Sequence, residues 1–70
     1  MPFVSIKYVA ENLARDGEGK KNRIADRVAT ALSEEMGLSK GDVWVTFEGV
    51  PAADFYVGPD SVAAIRARKT

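Results

Sequence analysis

The sequence predicts an α+β fold: a β-α-β unit with two parallel strands, followed by a C-terminal hairpin. Three observations predict it. Pro2–Val9 alternates at the period of a strand, Lys20–Met36 carries an apolar stripe at helical spacing, and Val43–Glu48 alternates again. Strands separated by a helix pair in parallel, with a right-handed crossover. One chain supplies only two such strands. A sheet of that size is not stable alone, so oligomerisation is expected to complete it.

Each element has its own signal. In the first strand Pro2, Val4, Ile6 and Tyr8 share one face, and Phe3, Ser5, Lys7 and Val9 share the other. The first face is wholly apolar and the second mixed, which predicts burial on both sides. Glu11–Gly19 is polar and carries two glycines, so it reads as a loop. In the helix, Ile24, Val28, Leu32 and Met36 recur at i+4, and Ala25, Ala29 and Ala31 widen the stripe. Gly37 followed by Leu38 is a Schellman-type stop, and Ser39–Asp42 is a turn.

In the second strand Val43, Val45 and Phe47 lie on one face, and Trp44, Thr46 and Glu48 on the other. Gly49–Asp60 is rich in turn residues around Phe55-Tyr56-Val57, which suits a small hairpin or an arm added to another sheet. Ser61–Lys69 reads as a short helical turn, with its basic residues solvated. One helix covers one face of the sheet. The other face, with Phe47 or Trp44 on it, is left for another copy of the chain.

Composition narrows the function. The chain has 70 residues, expected to form a single domain over 1–70. A chain this small buries only about 60% of its unfolded surface. Small scaffolds usually add disulfides, a metal or oligomerisation, but there is no Cys and no His here. That excludes disulfides, thiol redox chemistry, zinc fingers and most transition-metal sites. Ten basic residues balance ten acidic ones, so the electrostatic footprint of a nucleic-acid binder is missing. No apolar run is long enough for a transmembrane helix or a signal peptide, and a cytoplasmic location is expected.

Without His or Cys, few groups can act as a base near neutral pH. The α-amino group can, with a reference pKa of about 7.7–8.0. If Met1 is removed, Pro2 presents a secondary amine at the start of a buried strand. Desolvation and nearby cations favour the neutral amine, the form that accepts a proton. If Met1 is retained, the Pro2 nitrogen is a tertiary amide and has no basicity.

The order of these features resembles the 4-oxalocrotonate tautomerase (2-hydroxymuconate tautomerase) family over nearly the whole chain. The resemblance is carried by Pro2 with its strand to Val9, by Lys20-Lys21 at the helix start and by Val43-Trp44-Val45. Asp54-Phe55-Tyr56-Val57-Gly58, leading into Asp60-Ser61-Val62, completes it. Val9-Ala10-Glu11-Asn12 with its extended loop is similar to the longer-loop, DmpI-like branch.

The resemblance implies a tautomerase-type β-α-β protomer that dimerises into a four-stranded sheet, with three dimers forming a homohexamer. It implies a cofactor-independent isomerase in which mature Pro2 is the general base. The proton is moved within a small-molecule enol or 2-oxo acid, 2-hydroxymuconate-like or phenylpyruvate-like. It also implies that Arg15 binds a substrate carboxylate, for which a guanidinium fork is suited. Phe55 then lines an apolar pocket that keeps the Pro2 nitrogen poorly solvated.

The family's second arginine position holds Trp44 here. Trp44 offers an apolar wall and an indole N–H but no charge, which favours a less charged or aromatic enol; it is equally suited to anchoring an interface. Lys7 and Tyr8 are further pocket candidates, of which alternation puts only Tyr8 on the Pro2 face. The competing reading is a non-enzymatic homo-oligomer, a ligand-binding or scaffold protein of the same fold, in which Pro2 only starts a strand.

Overall fold

The computed structural model describes residues 1–69. Strand β1 is Phe3–Val9, followed by a 3₁₀ turn at Ala10–Leu13 and helix α1 at Gly17–Met36. After a short turn at Lys40–Asp42 comes β2, Trp44–Val50. A turn at Ala52–Asp54 leads to β3, Tyr56–Val57, then β4, Asp60–Ser61, and helix α2, Val62–Arg68. β1 and β2 pair in parallel, with Phe3 opposite Trp44 and Val9 opposite Val50. β3 and β4 form the antiparallel hairpin.

The alternation read from sequence is present in the sheet. Val4, Ile6 and Tyr8 of β1, with Val45 and Phe47 of β2, are half-buried on the side of α1. Phe3, Ser5, Lys7, Trp44, Thr46 and Glu48 are exposed on the other side. Phe47 therefore faces inward, its ring edge-on to Tyr8 with centroids 6.3 Å apart. Trp44 is the large aromatic of β2 on the open face. The amine of Lys21 sits 6.0 Å from the Tyr8 ring and 5.9 Å from Phe47, joining α1 to the sheet through a cation–π contact.

Two boundaries and one burial differ from expectation. Helix α1 begins at Gly17 rather than Lys20, because Asp16 takes a left-handed conformation (φ 50°) and its carbonyl accepts the Lys20 N–H at 2.9 Å. Gly19 leaves room for this start: a Cβ there would lie 2.6 Å from the Asp16 carboxylate, which also holds Arg23 at 3.1 Å. β2 runs two residues further, to Val50, because Gly49 lets the Tyr8 ring pass over it. Met36 is exposed, although it continues the i+4 series. Each i+4 step drifts roughly 40° around a helix, so the fourth member has left the buried face.

The helix stop is as expected. Gly37 is left-handed (φ 69°), and both its N–H and that of Leu38 reach the Ser33 carbonyl. At the other end of the chain the Ser61 hydroxyl caps α2 by accepting the Ala64 N–H at 3.1 Å. The basic tail is bound rather than wholly solvated: Arg68 pairs with Asp60, and Arg66 donates to Asn12.

The protomer is extended. Its radius of gyration is 15.1 Å, against about 11 Å expected for a compact domain of this length. Among the described residues only Ala29 and Ala52 are buried, and no side chain is fully enclosed. Phe3 is 69% exposed and Trp44 49%. No helix among the described residues is long and apolar enough to cross a membrane.

Candidate active site

Pro2 is half-buried at the entrance to β1, preceded by an exposed Met1. Its carbonyl accepts the Trp44 N–H at 3.1 Å, just before the first pair of the ladder, Phe3 with Trp44. This bond fixes the position of the proline relative to β2. The Trp44 side chain leaves from the open face and meets the edge of Phe3, with centroids 5.3 Å apart and planes at 71°.

Arg15 is exposed in the loop between the Ala10–Leu13 turn and α1, and makes no ion pair among the described residues. Phe55 follows the Ala52–Asp54 turn and is half-buried. Its carbonyl accepts the Val62 N–H at 2.7 Å, which folds the hairpin back onto it. It lines a cleft of about 320 Å³ with Lys7, Val50, Asp54 and Tyr56.

Parallel pairing sorts these residues into two groups. Pro2 and Trp44 sit where both strands begin. Arg15 follows the end of β1, and Phe55 follows the end of β2. Seven residues of strand rise roughly 20 Å in between. A single chain thus brings Pro2 to Trp44 and places Arg15 and Phe55 at one end of the sheet. It does not bring the two groups together.

Two residues of this region carry more than their sequence suggests. Lys7 lies on the Phe55 cleft from the open face, while Tyr8 lies under α1. Alternation did place the two on opposite faces, but the hairpin that puts the cleft on the Lys7 side is invisible to it. Glu11, read as a loop residue, accepts the Ala52 N–H at 2.9 Å across 41 residues of sequence. No local pattern reports a contact of that range.

A family model described as tautomerase enzyme matches residues 2–65. No curated protein matches the chain. Among solved structures, TomN, a 4-oxalocrotonate tautomerase homologue in the tomaymycin biosynthetic pathway, superposes with a TM-score of 0.83 at 22% identity. That match covers 99% of this chain and 100% of TomN. DmpI from Helicobacter pylori superposes with a TM-score of 0.74 at 26% identity, covering 89% of this chain and 97% of DmpI. The β-α-β unit, the parallel pair and the hairpin are the fold of these neighbours. With the family model spanning nearly its full length, the chain belongs to the tautomerase enzyme family.

Proposed function

We propose that the chain, once Met1 is removed, is a cofactor-independent keto–enol tautomerase whose general base is the Pro2 amine. The substrate is a small enol or 2-oxo acid, 2-hydroxymuconate-like or phenylpyruvate-like. The observation that carries this reading is the position of Pro2. It is a half-buried residue at the head of the sheet, bonded through its own carbonyl to the strand bearing Trp44. With no His and no Cys in the chain, a terminal amine is the group best suited to take a proton near neutral pH.

The chemistry needs one proton carrier. The neutral amine takes the enol hydroxyl proton and becomes a prolinium. The oxygen electrons form the C=O bond, and the displaced π electrons take the proton back from nitrogen at carbon. The amine is regenerated, and the substrate has changed only its bonding. The Arg15 guanidinium would hold the substrate carboxylate, Phe55 would exclude water, and Trp44 would wall the substrate without adding charge.

Within one chain Pro2 lies at one end of the sheet and Arg15 and Phe55 at the other, so this mechanism needs a site assembled from more than one copy. The open aromatic face and the extended protomer support such association, in the proposed form of a homohexamer built as a trimer of dimers. A chain without Cys also suits the reducing cytoplasm. Ketonisation of enol-phenylpyruvate or 2-hydroxymuconate by wild type and Pro2→Ala tests the proposal. The expected loss is about a hundredfold, the lower range for removing a general base. Equal activity in the two would remove the Pro2 mechanism, and no activity in either would leave the scaffold reading.

A further inference from the structure

The turn Ala10–Leu13 is tied to the C-terminal segment at two points. The Glu11 carboxylate accepts the Ala52 N–H at 2.9 Å in a partly buried bond, and the Asn12 side-chain oxygen accepts from Arg66 at 2.8 Å. Ala52 opens the turn Ala52–Asp54, and the first N–H groups of a helical turn have no partner inside it. Pro51, in the capping position, has no side chain able to accept. Ala52 is also 5% exposed, so water is a poor substitute. Glu11 supplies the missing acceptor.

Phe55 follows that turn directly. Its N–H returns to the Ala52 carbonyl at 3.4 Å, and its carbonyl accepts from Val62. The Phe55 backbone is therefore anchored to the turn that Glu11 caps. On its other side, Glu11 belongs to the same short turn that leads into Arg15.

We infer that Glu11 is a positioning residue whose carboxylate fixes the Phe55 arm against the loop carrying Arg15. The two substrate-binding groups at this end of the sheet are thereby held in one arrangement. The inference rests on the proposed function and concerns substrate binding, whereas Pro2 concerns proton transfer. Loss of the clamp raises KM and leaves kcat in place.

The test is steady-state kinetics of the mature protein on enol-phenylpyruvate, with exchange of the Ala52 amide followed by NMR. Glu11→Ala is expected to raise KM about tenfold, the factor for one hydrogen bond to a charged group, with kcat within about twofold. Glu11→Gln keeps an acceptor oxygen and is expected to restore both KM and amide protection. An unchanged KM in Glu11→Ala, with the Ala52 amide exchanging faster, would overturn the inference. So would a fall in kcat that Glu11→Gln does not repair.

Should Glu11→Ala fail to fold, Glu11→Asp replaces it. One methylene shorter, it falls short of the amide, and the same two outcomes decide. Full activity in Pro2→Ala would remove the proline reading alone, because KM across the Glu11 variants would still report the clamp.

Discussion

Phe3 and Trp44 stand opposite each other on the first rung of the parallel ladder, edge to face, with ring centroids 5.3 Å apart. Both are largely uncovered, at 69% and 49% exposed. Down the same face the rungs change from this aromatic pair to Ser5 with Thr46, then to Lys7 with Glu48, whose charged atoms are 3.7 Å apart. The open face is apolar where Pro2 leads into β1 and charged where the Phe55 cleft lies. An aromatic pair contributes about 0.5–1.5 kcal/mol beyond its area burial, and within one chain this pair is left largely uncovered.

Trp44→Ala is accordingly expected to weaken self-association by about 2 kcal/mol or more, as for a buried interface aromatic. Sedimentation equilibrium reads this directly as a shift toward smaller species on dilution. An unchanged association constant would move Trp44 out of the interface.

If the site is shared between chains, two inactive variants can repair each other. Pro2→Ala lacks the base and Phe55→Ala lacks the pocket wall, yet mixed oligomers would contain some intact sites. Unfolding and refolding the two together is expected to regain part of the wild-type activity, which neither alone has. Mixtures no more active than their components would mean that each site is built within one chain.

Gly49→Ala places a methyl 3.0 Å from the Tyr8 hydroxyl oxygen and 3.1 Å from the ring carbon that bears it. Tyr8 is flanked by the Phe47 ring and the Lys21 amine. The substitution is expected to cost about 1–3 kcal/mol in urea unfolding, the range for overpacking. Adding Tyr8→Phe removes the clashing oxygen and should recover part of that loss, a coupling that a double-mutant cycle measures. Strict additivity of the two substitutions would place the strain elsewhere.

The β-α-β unit was legible because the strands Phe3–Val9 and Trp44–Val50 alternate and α1 carries a stripe from Ile24 to Leu32. Its edges were less so. Asp16 starts the helix by a backbone conformation that composition does not encode, and Gly49 continues a strand that glycine normally ends. The choice between Phe47 and Trp44 for the open face followed only once the side facing α1 was known.

At the site, Pro2 and Trp44 are neighbours because the parallel register puts them there. The same register sends Arg15 and Phe55 to the far end. The Glu11–Ala52 bond joins segments 41 residues apart and was beyond any local pattern.

The central claim is that a free Pro2 amine does the chemistry, and with Met1 attached that nitrogen is an amide. Intact-mass measurement on a sample of demonstrated tautomerase activity tests this most directly. The mass is expected to fall short of the full sequence by one methionine residue. An active protein of full-length mass, with Met1 still joined to Pro2, would contradict the account.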